Sequence, residues 1–190
     1  MICRICTNEK NLKTLVVGRA GYVCCPMCRC MFVTPYPGKE FNAAFRGDET
    51  VERLEKGDES RGGYFLRRLE RLENLMGGTH PGSRLLEIGC GAGILLREAR
   101  NRDWHADAIE LSPELAARAR LNNPEARITT GDIQTFEPQG RPYEAIIALD
   151  VLEHVLEPLT MVENCRELLR PGGVLLLQTP NTRSFRGRTE

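Results

Sequence analysis

The stretch LLEIGCGAG, residues 85–93, decides the fold of this chain. Its first four residues are apolar except for Glu87, and three alternating glycines follow: Gly89, Gly91 and Gly93. Glycines allow a strand to turn sharply into a helix, and the N-terminus of that helix offers free N–H groups to a carboxylate or phosphate. The stretch therefore predicts a strand, a tight loop and a helix, with a ligand close to the loop.

Outward from this stretch, short apolar runs alternate with helical patterns. The predicted strands cover residues 84–88, 106–111, 127–130, 145–149 and 174–178. The predicted helices between them cover residues 94–102, 114–122 and 159–169. Strands that alternate with helices form parallel βαβ units with helices on both faces. The sequence therefore predicts a doubly wound α/β domain, which binds its ligand beyond the carboxyl ends of the strands.

An acidic residue stands where such a domain binds a ribose. Glu110 ends the second predicted strand, 21 residues after Gly89, and a carboxylate there can accept hydrogen bonds from both ribose hydroxyls. The dinucleotide fingerprint requires a third glycine at position 94, which is Ile94 here. This pattern favours a nucleoside cofactor and disfavours NAD.

Five ordered motifs resemble those of the class I S-adenosylmethionine-dependent methyltransferases. They are LLEIGCGAG at 85–93, AIELS at 108–112, GDIQTF at 131–136, ALDVLEHV at 148–155 and LLRPGGVLLLQTPN at 168–181. The resemblance implies a Rossmann-like fold, S-adenosylmethionine as cofactor, and methyl transfer to an acceptor. The family's sheet has seven strands, so the sixth and seventh are expected to be missing and the domain to be incomplete at its C-terminus.

The resemblance also implies which residues bind the cofactor. The glycines surround its methionine part, Glu110 binds the ribose, Asp132 receives the adenine, and Asp150 closes the pocket near the sulfonium. Glu87 lies close to the charged methionine end, directly or through water; alternatively, it caps backbone N–H groups of the loop. The expected cofactor-binding residues are Glu87, Gly89, Cys90, Gly91, Gly93, Glu110, Leu111, Asp132, Ile133 and Asp150.

Asp150, Glu153 and His154 are the predicted catalytic residues, at the edge of the pocket. On a helical turn they would share one face. His154 would act as a general base toward a substrate hydroxyl, since its ordinary pKa lies near neutrality. Two other interpretations stay open: the three bind a divalent cation, or Glu153 and His154 only form local hydrogen bonds.

Six of the eight cysteines lie in the first 30 residues. Cys3-x2-Cys6, eighteen residues, then Cys25-x2-Cys28 matches a tetrahedral Zn²⁺ site with four thiolate ligands. Cys24 or Cys30 could replace one of them. The segment from Cys25 resembles the zinc-ribbon-like leader of some bacterial methyltransferases, in which Gly stands where this chain has Arg29. Positive φ is expected there, which strains Arg29. We expect Cys90 and Cys165 to be small buried fillers.

Three parts follow from these patterns: a cysteine-rich module at 1–38, a helical linker at 39–82 and the cofactor domain at 83–190. The linker contains one amphipathic helix with Phe65, Leu69, Leu72 and Leu75 on its apolar face. It should end at the glycine pair 77–78.

Composition excludes some functions. The 26 basic and 26 acidic side chains cancel, which argues against a general polyanion binder, and no apolar run approaches the ~18 residues that span a bilayer. With no secretory signal at its start, the chain is expected to be cytoplasmic. The leading hypothesis is methylation of a small molecule, such as a sugar or quinone-like acceptor. An RNA methyltransferase, using the +4 charge of residues 1–31, and an inactive cofactor-binding protein are the alternatives. The oligomeric state stays undetermined.

Overall fold

The fold is described from a computed structural model, which covers residues 1–17, 20–34, 62–79 and 81–181. The strands are β1 (Lys13–Val17), β2 (Ala20–Cys24), β3 (Met31–Thr34), β4 (Arg84–Ile88), β5 (His105–Glu110), β6 (Ile128–Thr130), β7 (Tyr143–Leu149) and β8 (Leu169–Gln178). The α-helices are α1 (Gly62–Met76), α2 (Ile94–Arg100), α3 (Pro113–Asn122) and α4 (Pro158–Leu168). Two short 3₁₀ helices cover Ile133–Thr135 and Leu152–His154.

Strands β4 to β8 form one parallel sheet in the order β6-β5-β4-β7-β8. From β4 the chain first builds toward β6, and it then returns to the other side of β4 to place β7 and β8. The strand order therefore reverses between β4 and β7, and in doubly wound sheets the ligand crevice lies at such a switch point, beyond the carboxyl ends of the two strands. The predicted five-stranded doubly wound sheet is confirmed.

Helices cover both faces of the sheet, which explains the near-continuous apolar strands. On one face, α1 and α2 pack over Leu85 of β4 and Ile147 of β7. On the other face, α4 and the first 3₁₀ segment pack over Leu86 and Ile146. Helix α3 packs against β5 through a cluster of small side chains that includes Ala108.

Helix α1 begins at Gly62, three residues before Phe65, the first residue of the predicted apolar face. Its apolar face is nearly as predicted, since Phe65, Leu69 and Leu72 are buried in the core under α2 and β4. Leu75 is 61% exposed, and Met76 packs on that core instead. The helix ends where predicted, because Gly77 takes a left-handed φ of 74° and Gly78 donates its N–H to the Glu73 carbonyl at 2.9 Å.

Strand β8 begins earlier than predicted, because Leu169–Gln178 includes a Pro-Gly-Gly segment that was expected to be a loop. Tyr143 pairs with Leu169 and Ala145 with Val174, so the register shifts between them. The extra residues form a bulge, in which Gly172 has a φ of 74°. The last strand therefore starts five residues earlier than predicted, whereas its end at Gln178 is as predicted.

Residues 1–34, as far as they are described, form the cysteine module. Strands β1, β2 and β3 make a small antiparallel sheet in sequence order. The predicted exit turn at 35–38, most of the predicted linker and the tail from 182 lie outside the described residues. In the part of the chain that is described, no helix has both the length and the apolar character needed to cross a bilayer.

Candidate functional site

The glycine loop after β4 lies at the switch point of the sheet. Gly89, Gly91 and Gly93 have φ values of 73°, 54° and 81°, which favour glycine at all three positions. The Gly89 N–H donates to the Ile109 carbonyl at 2.8 Å and so fastens the loop to the end of β5. A Cβ on Gly89 would lie 2.5 Å from Cγ2 of Val151, in the loop after β7. The two loops that border the crevice are therefore in close contact.

Gly93 is required by packing inside the domain. A Cβ there would collide with the Asn123 amide, whose Nδ2 donates to the Gly93 carbonyl at 3.0 Å. Gly89 and Gly93 are thus explained by neighbouring side chains of the protein itself. Along the loop, Gly89 is exposed, Gly91 is half-buried and Gly93 is buried.

Glu110 ends β5 beside this loop, and the residue is only 7% exposed. One oxygen accepts the Gly91 N–H at 2.9 Å, and the other accepts the Ser112 N–H at 2.9 Å. Ser112 in turn caps α3, with its hydroxyl oxygen accepting the Leu115 N–H at 3.2 Å. The acidic residue predicted from spacing is therefore held rigidly against the central glycine.

Leu111, Asp132 and Ile133 continue the same edge of the sheet. Leu111 is an exposed apolar side chain, 38% accessible, directly after Glu110. The exposed Asp132 accepts the Gln134 N–H at 3.0 Å through Oδ1 and so begins the 3₁₀ helix, while Ile133 is buried beneath it. Leu111 and Asp132 present one apolar and one acidic surface at the ends of β5 and β6.

The side chains of Glu87, which precedes the loop, and Cys90, which is part of it, are both buried. Glu87 is buried in β4, at 5% exposure, and Cys90 is buried at 4%. Burial raises the pKa of the Cys90 thiol well above its ordinary value, and the nearby charges of Glu87 and Glu110 raise it further. Cys90 is thus a neutral filler, as expected, and so is the fully buried Cys165.

Asp150 follows β7 and borders the crevice from the opposite side. It has a left-handed φ of 56°, and its N–H donates to the Gln178 carbonyl at 3.0 Å. Its Oδ1 accepts the Gln178 side-chain amide at 3.0 Å. The end of β8 therefore sets the position of the Asp150 carboxylate.

Two residues of α1 extend this network, and the sequence interpretation missed both. Arg68 donates through Nε and Nη2 to Oε1 of Gln178, at 3.0 and 2.8 Å, and its guanidinium lies 3.7 Å from the Tyr64 ring centroid. The Gln178 amide also donates to the Tyr64 hydroxyl. Tyr64 and Arg68 lie one helical turn apart, which is the one sequence signal that could have paired them.

Glu153 and His154 lie on the 3₁₀ helix Leu152–His154, not on an α-helical turn. The exposed Glu153 accepts the Thr179 hydroxyl at 3.2 Å, and the half-buried His154 donates its backbone N–H to the Val151 carbonyl at 2.9 Å. Within the described residues, one set of three or more metal-binding side chains has ligand atoms within 4.8 Å of one another, and it consists of cysteines. The structure does not assemble Asp150, Glu153 and His154 into a cation site.

The residues along this edge fit the cofactor that the resemblance implies. The Glu110 carboxylate is held at the mouth of the crevice, and a carboxylate can accept up to about four hydrogen bonds, so hydroxyl groups are suitable ligands. The exposed Leu111 offers apolar contact for a flat base. Acidic groups on both sides of the glycine loop suit a ligand with a cationic end.

A second candidate site is the four-cysteine cluster, defined as Cys3, Cys6, Cys25 and Cys28. Their Sγ atoms all lie within 4.8 Å of one another, with Cys3 to Cys28 at 3.5 Å and Cys6 to Cys25 at 3.6 Å. These are the four residues predicted from spacing, and neither Cys24 nor Cys30 belongs to the cluster. Four thiols this close together could serve as the ligands of a tetrahedral metal ion.

The two cysteine pairs adopt matching turns, each of which we call a knuckle. The Thr7 N–H donates to the Cys3 carbonyl at 3.0 Å, and the Arg29 N–H donates to the Cys25 carbonyl at 2.9 Å. Thr7 and Arg29 have φ values of 54° and 63°. The positive φ expected at Arg29 is therefore confirmed, and a second one occurs at the equivalent position of the first knuckle.

The environment of Cys25 favours its thiolate. Burial raises its pKa, but the backbone N–H groups of Cys28 and Met27 and the Asn8 amide outweigh burial and lower the pKa to about 6. The Asn8 amide nitrogen lies 3.6 Å from Cys25 Sγ. A thiol deprotonated near neutral pH is the form that binds metal.

Comparison with known proteins agrees with the fold. A family model described as a methyltransferase domain matches residues 58–189. The ubiquinone biosynthesis O-methyltransferase of Xylella fastidiosa (strain 9a5c) is 40% identical over 105 residues, which are 53% of this chain and 43% of that protein. The chain thus spans less than half the length of the curated relatives it matches.

Solved structures give the same assignment. CalS10, an amino pentose methyltransferase from Micromonospora echinaspora solved with S-adenosylmethionine bound, matches with a TM-score of 0.57 at 27% identity, over 66% of this chain and 56% of that one. The plantazolicin methyltransferase BpumL shares the fold, with a TM-score of 0.61 at 18% identity over 73% and 55% of the two chains. Because the family model spans most of the described residues, the chain belongs to the methyltransferase domain family and has the fold of the class I S-adenosylmethionine-dependent methyltransferases.

Proposed function

We propose that this chain binds S-adenosylmethionine at the carboxyl edge of its parallel sheet and methylates a small-molecule acceptor. The observation that carries the proposal is the Glu110 carboxylate, which is fixed against Gly91 at the switch point. A buried carboxylate at the end of the second strand, tied to a glycine loop after the first, is the arrangement that binds a ribose in doubly wound domains.

Each candidate residue has a role that its position supports. The loop of Gly89, Gly91 and Gly93 would border the methionine part, with Glu87 and Cys90 beneath it. Glu110 would accept hydrogen bonds from the ribose hydroxyls. Leu111, Asp132 and Ile133 would contact the adenine. Asp150, held by Gln178, would border the end that carries the methyl group.

The bound cofactor supplies an electrophilic methyl group on a sulfonium. Direct displacement needs little covalent chemistry from the protein, so these residues would mainly orient the two reactants and exclude water. His154 is our candidate for the base that removes a proton from the acceptor. It is half-buried and is the last residue of the 3₁₀ helix Leu152–His154. Asp150 and Glu153 would then position the segment that carries it.

The acceptor class is proposed from the relatives. One is named for O-methylation in ubiquinone biosynthesis and another for methylation of an amino pentose, so a quinone-like or sugar acceptor fits both. The attacked atom would be an oxygen, nitrogen or carbon. Two alternatives stay hypotheses: an RNA methyltransferase, and a protein that binds the cofactor without transferring the methyl group.

The test is calorimetric titration of the full chain with S-adenosylmethionine and with its demethylated product. We expect micromolar binding that Glu110→Ala weakens at least about tenfold, since a hydrogen bond to a charged group is worth about 1.5–3 kcal/mol. Glu167→Ala, which removes an exposed carboxylate from α4, is the matched control and should bind as the wild type does. Equal binding by both variants would contradict the role of Glu110.

We propose further that the four-cysteine cluster holds one structural Zn²⁺. The arrangement of four Sγ atoms supports this, and reduced thiols suit the cytoplasmic location expected from the sequence. Cys25→Ser should abolish the one zinc per chain measured by a chromogenic chelator, whereas Cys24→Ser should retain it. Loss of zinc in both variants, or in neither, would argue against this ligand set.

A further inference from the structure

Arg4 joins the cysteine module to the methyltransferase domain. Its Nη1 donates to the Leu156 carbonyl at 3.1 Å and lies 3.4 Å from Oε1 of Glu157. Both partners belong to the segment between the 3₁₀ helix Leu152–His154 and α4. A residue at the start of the chain thus contacts the loop that carries the candidate base.

Arg4 is also part of a knuckle, since it lies between Cys3 and Cys6. Its backbone is therefore fixed by the two sulfur atoms that flank it and by the turn in which Thr7 donates to the Cys3 carbonyl. The Cys3 N–H also donates to the Asn8 carbonyl at 2.9 Å, and the buried apolar residues in the described part of the module are Cys3, Val23 and Cys25. The position of the guanidinium must depend on how well the four-cysteine cluster is held together.

The segment that Arg4 contacts leads into α4, and its Val155 packs on the core of the domain. Glu157 stands at the N-cap of α4 but makes no side-chain capping bond, although its carbonyl accepts the Met161 N–H at 3.1 Å. The Val155 N–H reaches the Leu152 carbonyl at 3.3 Å, which is a long hydrogen bond. The Arg4 guanidinium adds a hydrogen bond to the Leu156 carbonyl of this segment.

The junction is otherwise loosely packed. A cleft of about 430 Å³ lies between the two parts, and Arg4, Glu157, Phe32 and Leu159 are among the residues that line it. Leu159 is 41% exposed, so apolar packing closes only part of the junction. The polar contacts of Arg4 thus connect the module to the segment after His154.

We propose that Arg4 is a positioning residue, which couples metal binding in the four-cysteine cluster to the order of residues 150–157. The proposal rests on the proposed zinc site. Metal loading fixes the first knuckle, the knuckle directs the Arg4 guanidinium, and the guanidinium holds the Leu156 carbonyl. The module would then act on the acceptor side of the crevice without contacting the cofactor.

Hydrogen exchange of the full chain, with and without a zinc chelator, tests this coupling. The reporter amides are those of His154, Val155 and Met161, and zinc content is measured on the same samples. In the wild-type protein we expect chelation to speed their exchange about tenfold, the factor that loss of a charge-assisted hydrogen bond of about 1.4 kcal/mol gives. Zinc-loaded Arg4→Ala should show the same increase while retaining one zinc per chain, and chelation should then add nothing.

Three further variants complete the comparison. Arg4→Gln replaces Arg4→Ala if alanine weakens the knuckle, and Arg4→Lys should restore part of the protection because lysine keeps a charged donor. Lys13→Ala removes an exposed cation from the same module and should behave as the wild type.

Each result is decisive. If chelation speeds exchange equally in the wild type and in Arg4→Ala, the metal acts by another route and the coupling is wrong. If the wild type binds zinc but the exchange rates of its reporter amides do not change on chelation, the coupling is wrong and the zinc site stands. A folded chain that binds no zinc overturns both proposals.

Discussion

The cysteine module and the parallel-sheet domain are held together in different ways. In its described part, the module buries Val23 and two of its cysteines, and its two knuckles bring four sulfur atoms together. The domain buries large side chains on both faces of the sheet, such as Leu86 and Ile146, each fully excluded from solvent. One region depends on a ligand set and the other on apolar packing.

The difference means that two regions of one chain can be stabilised by different interactions. A region of about 35 residues cannot bury enough apolar surface to fold alone, whereas a five-stranded sheet between helices can. Conditions that remove a metal should therefore affect the module, and substitutions in the core should affect the domain. The following predictions test whether this separation holds, in order of decreasing effect.

Chelation of zinc should unfold the module and leave the sheet domain folded. Zinc binding is worth about 10 kcal/mol or more in small zinc-finger domains, so the module should lose its structure altogether. Proteolysis followed by mass spectrometry should show new cleavage within residues 1–34 but protection of residues 84–178. Cleavage in both regions at the same rate would show that the two fold as one unit.

Leu86→Ala should destabilise the domain by about 3 kcal/mol, because it leaves a cavity in a core where Leu86 is fully buried. Thermal unfolding followed by circular dichroism measures the loss. Leu121→Ala is the control, since this leucine is 75% exposed on α3 and its truncation should change the stability little. Zinc content should be the same in both variants.

Glu73→Gln should remove a smaller, pH-dependent contribution of about 1 kcal/mol within the domain. Arg102 donates to both carboxylate oxygens of Glu73, and this pairing lowers the pKa of Glu73, with a further hydrogen bond from Trp104. A carboxyl whose folded pKa is depressed stabilises the fold above its unfolded pKa of about 4.3, and that stability is lost as the pH falls through the folded pKa.

The wild type should therefore be more stable than Glu73→Gln at pH 7, and the difference should shrink as the pH falls below about 4. Urea unfolding at a series of pH values measures it. Glu163→Gln, at an exposed position on α4, should give no such pH-dependent difference. A constant difference from pH 7 to pH 3 would show that the charge of Glu73 is not its source.

Arg29→Gly should stabilise the module by about 0.5 kcal/mol. The left-handed φ of 63° costs an L-residue about 1–2 kcal/mol, and the greater freedom of glycine in the unfolded chain offsets part of the gain. A chelator competition that measures zinc affinity should show tighter binding. Arg29→Ala keeps the strain and should show no gain, so equal affinities for the two variants would refute the explanation.

The sequence predicted the parts of the fold that depend on local patterns. Apolar runs placed the five strands, and the glycines at 89–93 placed the loop, because a left-handed turn after a buried strand has few other solutions. The cysteine spacing also predicted which four sulfur atoms approach one another. In each case the information lies within a few residues, or in a spacing that a metal imposes.

Contacts between distant segments could not be predicted in this way. Nothing near Asp150 in the sequence indicates that Gln178 will hold its carboxylate, or that Tyr64 and Arg68 will hold Gln178. The early start of β8 was missed because Pro-Gly-Gly usually ends a strand, whereas here a bulge absorbs it. The contact between Arg4 and Leu156 could not be predicted either, because 152 residues separate the two in the sequence.

The Tyr64–Gln178 contact has a consequence for synthesis on the ribosome. It joins the first described helix of the domain to its last described strand, and the two residues are 114 positions apart. The same Gln178 amide also donates to the Asp150 carboxylate. A nascent chain that has completed the glycine loop and β7 has not yet made Gln178, so one wall of the crevice is still unsupported. Such long-range contacts form late and slowly. The crevice should therefore acquire its final shape only when β8 has left the ribosomal tunnel, well after the sheet has begun to form.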